Sequence, residues 1–283
     1  MSKSVLAVVV SFNDGHALKK TVAALAPQVG KVVIVDNGSD PETLKCIAEL
    51  EAELGIKSVC CPENMGVGAA LNIGVSIARE EKFEWLLTMD QDSVAAPKMV
   101  TEMLVSAEKC QDAAVICPTL TADKIDKKIK DKITGSAITS GNLVRIRYLQ
   151  AVGDYNESYF IDSVDFEFNL RVRNAGYKII RCGAAKLSHR LGEAKTFCFM
   201  RLRYRYTLHA PIRRYYMYRN HVCLVMKFWY KNPVFLIKKT IMAVAAMVEI
   251  AVLDPRRWGN FKMIWRGLLD GFKLKGGIFN QEG

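Results

Sequence analysis

Three short, nearly unbroken apolar runs constrain the fold most: Val5–Val10, Lys31–Val35 and Trp85–Met89, each ending at a polar turn. A run of this length without alternation reads as a strand covered on both faces, as parallel sheets require. Helical stretches lie between them, roughly Ala17–Leu25 and Pro41–Leu54, then a short strand at Lys57–Cys60 and a helix at about Val67–Arg79. Strand–helix alternation of this kind predicts a doubly wound parallel sheet with right-handed crossovers. Beyond Asp92 the order is less regular. A helix near Lys98–Lys109, a strand at Ala114–Cys117 and a charged stretch, Asp123–Lys132, which reads as a solvated loop or exposed helix, are followed by a segment Ile138–Val144. A helix over Val164–Asn174, closed by Gly176, and a strand at Tyr177–Arg181 complete the first part.

Asp90-Gln91-Asp92 follows the Trp85–Met89 run directly. Residues i and i+2 of an extended segment point the same way, so Asp90 and Asp92 project together from the carboxyl end of a central strand. Open α/β sheets bind ligands at that edge. Paired carboxylates there suit a hard divalent cation shared with substrate phosphates; an acidic turn without metal is the alternative. Asp36 closes the second run in Val-Asp-Asn-Gly-Ser, either to accept from a ligand's base or ribose or to bond its own turn. The stretch Asn64 to Gly74 sets small residues through a helix start, which serves a nucleotide's approach or tight helix–sheet packing equally well. Asp165 falls near a helix N-terminus, as a free acid or a cap, whereas Glu167 and Arg171 have the i,i+4 spacing of an ordinary helix pair. His189, at the end of the last strand-like segment, is a candidate third metal ligand.

The chain has 283 residues, half of them hydrophobic, enough for one large domain or one and a half. Its formal charge of +11 is uneven: residues 201–283 carry 16 Lys/Arg against 4 Asp/Glu. Composition shifts near residue 195, giving a first domain over 1–195 and a basic, helical region over 196–283. Eight scattered cysteines without CxxC spacing read as reduced core thiols, and the N-terminal run reads as a strand rather than a secretory leader. Both favour a cytosolic location. The longest apolar window, Ile241–Leu253, is interrupted by Glu249 and falls short of a spanning helix.

Taken together, these pieces resemble the inverting family 2 glycosyltransferases of the GT-A fold, and among them the rhamnosyltransferase-like branch. The resemblance runs over roughly residues 4–220. It is carried by Val-Val-Val-Ser-Phe-Asn, Val-Asp-Asn-Gly-Ser, Asn-Met-Gly-Val-Gly-Ala-Ala-Leu-Asn-Ile-Gly, Asp-Gln-Asp-Ser, Thr-Ser-Gly-Asn-Leu, the Val152–Glu167 stretch, Asn-Ala-Gly-Tyr-Lys and His189. It implies a GT-A-type Rossmann-like, mostly parallel sheet flanked by helices. Asp36 would read the base, with Ser11 and Asn13 nearby, and Asn64, Gly66 and Asn72 would line the nucleoside pocket. Asp90 would touch ribose or metal, and Asp92 and His189 would complete a Mg²⁺ or Mn²⁺ site. Asp165 matches the catalytic base position. Val164 replaces the Glu common before it, which leaves Asp162 a rival; Gly141 and Asp162 fall on the acceptor side. The implied reaction moves L-rhamnose from dTDP-rhamnose to a lipid-linked glycan in bacterial surface polysaccharide synthesis. A UDP-galactose or UDP-N-acetylglucosamine donor, or a non-catalytic nucleotide-binding protein, are the alternatives.

The tail interleaves bases with aromatics, as in Arg201–Tyr206 and Arg213–Arg219, and Phe261–Phe272 recurs at helical spacing. This pattern favours a membrane surface at the inner face of the plasma membrane over packing or homo-oligomerisation. Nucleic acid is not expected as a partner, since the positive charge lies outside the nucleotide-like half.

Overall fold

The computed structural model describes residues 2–121, 129–189, 194–199 and 202–279. Two compact units emerge, one from Met1–Glu157 with Val164–Arg190, the other from Ser158–Ser163 with Leu191–Gly283.

The first unit opens with β1 (Val5–Ser11), α1 (Gly15–Leu25), β2 (Lys31–Asp36), α2 (Pro41–Leu54), β3 (Lys57–Cys60), α3 (Val67–Glu80) and β4 (Trp85–Asp90). These alternate as expected, and β3-β2-β1-β4 are all parallel neighbours. Val5 to Val9 and Leu86 to Leu87 are fully buried, which is why their runs carry no polar alternation. Caps set the helix starts. Asp14 accepts from Ala17 N ahead of α1, and Asp40 accepts from Thr43 N ahead of α2, where Pro41 occupies the first turn.

The chain continues through β5 (Ser93–Ala95), α4 (Met99–Glu108), β6 (Ala113–Leu120), β7 (Lys132–Ile133), β8 (Asn142–Arg145), α5 (Leu149–Val152), α6 (Val164–Asn174) and β9 (Lys178–His189). Here the sheet adds β8, β6, β9 and β5 in that order, with β7 beside β9. β8 runs antiparallel to both β4 and β6, and β5 antiparallel to β9. The expected short strand at Tyr177–Arg181 is therefore the first part of a longer one that reaches His189. Of the charged stretch expected as a solvated loop or exposed helix, residues 123–128 lie outside the described residues. Its end differs from expectation, since Lys132–Ile133 pairs with Arg181 and Ile180, and Asp131 accepts from Gly183 N.

The second unit begins with a hairpin, β10 (Ala194–Phe199) against β11 (Leu202–Thr207), where a helical region was expected. The two-residue alternation Arg203-Tyr204-Arg205-Tyr206 favours a strand, a signal separate from its pattern of bases among aromatics. Three helices follow: α7 (Pro211–Phe228), α8 (Pro233–Leu253) and α9 (Arg257–Phe272). α7 and α9 pack closely at Gly267, where any Cβ would strike the Tyr215 carbonyl, and at Gly271, where it would lie 2.7 Å from Val222 Cβ. Tyr218, Ile250 and Ile264 form the centre of this unit's core.

Two of the three arginines of α7, Arg214 and Arg219, are buried rather than part of an exposed surface. Arg219 is 1% exposed and donates to the carbonyls of Ser158, Tyr159 and Gly277. Asn220 donates to the carbonyls of Tyr159, Ile161 and Asp162. Together they hold a segment in which Phe160, Asp162 and Ser163 all have positive φ. The chain leaves that segment straight into α6.

Candidate active site

Parallel register puts the site residues at one sheet edge. Val10 is opposite Asp90 and Ser11 is opposite Asp36, so the ends of β1, β2 and β4 lie side by side. This is the carboxyl edge of the sheet, where α/β folds take their ligands. Ser11 is fully buried there and its Oγ has no hydrogen-bond partner among the described residues.

Asp90, Asp92 and His189 come together at this edge, each offering a ligand atom within 4.8 Å of the others. The carboxylates are neighbours in sequence, whereas His189 arrives through strand pairing, since β5 sets Ser93 opposite it. Its Nδ1 lies 3.9 Å from Asp92 Oδ1 and 2.7 Å from Ser93 Oγ. Ser140 Oγ donates to Ser93 Oγ at 2.7 Å and accepts from Asp90 N at 3.1 Å. A hydroxyl chain thus links the backbone at Asp90 to the His189 ring and sets its orientation, as outer partners of a ligating imidazole do. All three groups are half-buried, so charge can develop there without full desolvation.

Gln91, between the two carboxylates, is a clamp. Its Oε1 accepts from Phe12 N at 2.7 Å, its Nε2 donates to Phe12 O at 2.8 Å, and its carbonyl accepts from Thr21 Oγ1. The loop after β1 is thereby fixed to the loop after β4. Ser93, Ser140 and Gln91 were not anticipated as site residues. Ser93 follows the acidic triplet directly and Ser140 precedes Gly141, but only the antiparallel pairing of β5 with β9 joins them to His189.

The other expected residues fall in distinct surroundings. Asp36 is fully buried, and its carboxylate accepts from Ser39 N at 2.9 Å and Ser39 Oγ at 2.5 Å, which is the turn-bonding arrangement. Asn13, at φ 54, accepts from Asp40 N, and its own N–H donates to Ser39 Oγ. Asn64 Oδ1 accepts from Asn37 and from Gly66 N. These bonds weave the loops after β1, β2 and β3 into one floor beside the acidic edge. Asn72 sits elsewhere in its bonding: Nδ2 donates to Tyr155 O and Glu157, and Oδ1 accepts from Tyr155 N, so its amide ties α3 to the segment before α6. The small residues of that helix serve packing at two points. A Cβ at Gly74 would meet Val8 at 2.7 Å, and one at Gly68 would meet Asn156 O at 3.0 Å. Gly141, at φ +84, donates to Thr88 O and has Leu187 and Pro118 within 2.8 Å of any added Cβ. It allows the close backbone turn that presents Ser140.

Asp165 lies in the first turn of α6, half-buried, with Phe166 N donating to its Oδ1. Glu167 is fully buried and paired with Arg171, whose guanidinium also holds the carbonyls of Val152, Gly153 and Asp154. The two acids of this helix therefore divide into a structural one and a half-exposed one, as their spacing indicated. Asp162 belongs to the second unit and makes a two-bond ion pair with Arg213. A cleft of about 460 Å³ opens between α1 and α2 with Asn13, His16, Lys19 and Asp40 in its lining, apart from the acidic group. Cys46, Cys60, Cys61, Cys110, Cys117, Cys182 and Cys223 are free, and burial pushes the thiols of Cys46, Cys61, Cys182 and, to about 11, Cys117 upward. None of those four is a ready thiolate nucleophile.

Comparison with known proteins agrees with this geometry. The chain is 27% identical over 249 residues to the dTDP-rhamnosyl transferase RfbF of Shigella flexneri, covering 80% of this chain and 81% of that protein. A crystal structure of GalNAc-T7 with UDP, GalNAc and Mn²⁺ superposes with a TM-score of 0.64 at 13% identity over 95% of this chain. This chain spans 56% of that protein. S. aureus TarS residues 1–349 in complex with UDP-GlcNAc superposes with a TM-score of 0.52 at 14% identity, covering 95% of this chain and 73% of that one. These likenesses establish the GT-A fold. Residues 6–165, which hold the acidic edge and reach Asp165, match the family Glycosyl transferase family 2. The chain is a glycosyltransferase and belongs to that family.

Proposed function

We propose that this enzyme transfers L-rhamnose from dTDP-rhamnose to a hydroxyl of a lipid-linked glycan, with inversion at the anomeric carbon, in bacterial surface polysaccharide synthesis. The observation that carries the reading is the Asp90–Asp92–His189 group at the carboxyl end of β4. The sugar is supported by the dTDP-rhamnosyl transferase relative.

Two carboxylates and an imidazole form a donor set that fits Mg²⁺ or Mn²⁺, with the imidazole tilting the preference towards Mn²⁺. A bound ion would offset the negative charge that gathers on the departing nucleoside diphosphate. The protein's own residues supply the rest. Ser11, Asn13, Asp36, Asn64 and Gly66 frame the nucleoside, the buried Ser11 Oγ offering an unengaged polar atom. Asp90 serves the ribose or the ion. Gln91 and the Ser93–Ser140 chain keep these groups in register. Asp165 removes the proton of the attacking hydroxyl on the face opposite the leaving group. Gly141 shapes the acceptor side. The Arg213 guanidinium engages both carboxylate oxygens of Asp162, which makes it the weaker candidate for the base. Residues 1–195 would then form the catalytic domain and 196–283 its basic extension. A lipid-linked acceptor places the reaction at the cytoplasmic face of the plasma membrane.

Titration calorimetry of the full chain with dTDP, UDP and GDP, each with and without Mn²⁺ or Mg²⁺, tests the donor assignment. The reading requires dTDP to bind most tightly and only with the ion. Tighter ion-dependent binding of UDP would transfer the assignment to a UDP-sugar, and ion-independent binding would remove the metal role.

A further inference from the structure

Among the described residues no helix is long and apolar enough to cross a membrane, yet α8 leaves an entire apolar side uncovered. Its inward face is Leu236, Ala243, Met247 and Ile250, which pack within the second unit's helices. On the opposite face Val234, Ile237, Ile241, Val244, Val248 and Val252 follow at three- and four-residue steps, 47–80% exposed. That stripe runs the full 21 residues of the helix, roughly 30 Å at 1.5 Å per residue. A contiguous exposed apolar face of this length marks an interaction surface.

The residues at its ends indicate the occupant. Trp229 and Tyr230 precede α8 and Trp258 follows it, exposed by 49%, 75% and 80%. Trp and Tyr collect where apolar chains meet polar headgroups. Lys227 and Lys231 stand at the same end as Trp229, and Arg256 and Arg257 stand beside Trp258. α9 repeats the pattern on its outer face, with Trp258, Lys262, Trp265, Leu269 and Phe272 at helical spacing and all exposed. A second copy of the chain is a poor fit. Parallel pairing of two α8 helices would set Lys238 and Lys239 against their own copies. Glu249 is the single acid on α8 to offset them. An anionic lipid surface takes both the apolar stripe and the cations without that repulsion.

We propose that α8, with the outer stripe of α9, is an in-plane anchor that seats its valines and isoleucines among the acyl chains of an anionic bilayer surface. This extends the reading of a membrane-borne acceptor, but its test needs neither donor nor acceptor, so each can fail without the other. The test is flotation of the full chain at low salt with phosphatidylcholine vesicles and with vesicles that also contain phosphatidylglycerol. The chain should float with the anionic vesicles and much less with the neutral ones, and salt should weaken it. Substituting Ile241, Val244 and Val248 together with Gln should reduce binding at least about tenfold, since three aliphatic side chains no longer leave water. Lys238→Gln, Arg257→Gln and Lys262→Gln together should abolish the preference for anionic lipid. Every substituted side chain is exposed, so melting temperature and dTDP binding should stay unchanged in both variants. Absence of flotation with anionic vesicles, or equal binding to neutral ones, would overturn the proposal. A concentration-dependent dimer in sedimentation that the Ile241/Val244/Val248 variant dissolves would overturn it in favour of a second copy.

Discussion

Replacing Arg171 with Met should be among the most destabilising single changes in the first unit. Arg171 Nε donates to both carboxylate oxygens of Glu167, at 3.0 and 2.8 Å, and its other nitrogens donate to three backbone carbonyls. Glu167 is 0% exposed and the guanidinium 16%. Removing the cation leaves a buried carboxylate without its ion-pair partner, which costs about 3–5 kcal/mol for a buried pair. The carbonyls of Val152 to Asp154 lie nearer solvent and add less, so about 4 kcal/mol is expected, a large share of the total stability of a domain. Glu167→Gln leaves an uncharged acceptor for the guanidinium and should cost only about 1–2 kcal/mol. The double variant should be more stable than the sum of the single losses predicts, because no orphaned charge remains. Urea unfolding followed at Trp85 measures this. Trp85 is 2% exposed beneath the Arg145 guanidinium, and replacing Trp229, Trp258 and Trp265 with Phe makes it the only tryptophan. An Arg171→Met loss below about 1 kcal/mol, or strict additivity in the double variant, would refute the reasoning.

Asp92→Ala should abolish metal-dependent dTDP binding while leaving the melting temperature near that of the parent, as its carboxylate is half-buried and is a proposed ligand of the ion; calorimetry with Mn²⁺ that shows unchanged affinity would contradict it. Asp165→Asn should keep dTDP binding and lower turnover by about 10²–10⁴-fold, whereas Asp162→Asn should keep most of the turnover; the reverse result would move the base to Asp162. His209 is held well below its ordinary value, at about 4, by burial and by Arg214 and Arg213. The unfolded chain binds its proton near 6.5, so this group's stabilisation is intact above about 6.5 and is lost as pH falls towards about 4. His209→Gln should flatten the melting-temperature profile in that window, and an unaltered acid slope would exclude His209 as its source.

How much of this could be read from residues alone varied with how local each feature is. β1, β2 and β4 announced themselves because burial on both faces suppresses alternation, and α2 because Asp40, Pro41 and Gly55 mark its ends. The carboxylates of Asp90 and Asp92 followed from strand geometry. What brings His189 to them is β5, a three-residue strand paired across nearly a hundred positions, and no local signal encodes such a partner. Gln91 was passed over for a similar reason, since its clamp on Phe12 needs β1 and β4 to be neighbours. The family resemblance implied a nucleoside-pocket role for Asn72; in the fold the chain around Tyr155 engages its amide, a contact that no local pattern announces. In the tail, charge suggested one exposed basic surface. Burial divides it: Arg214 and Arg219 are interior, while Lys238, Arg257 and Lys262 face outwards.

The most direct test of a metal-dependent, inverting rhamnosyltransfer is nuclear magnetic resonance of the product formed by the full chain from dTDP-rhamnose, Mn²⁺ and a synthetic lipid-linked acceptor. The account predicts a rhamnoside whose anomeric configuration is opposite to that of the donor, with formation stopped by a chelator and restored by excess Mn²⁺. A product of retained configuration, or undiminished turnover in the chelator, would contradict it.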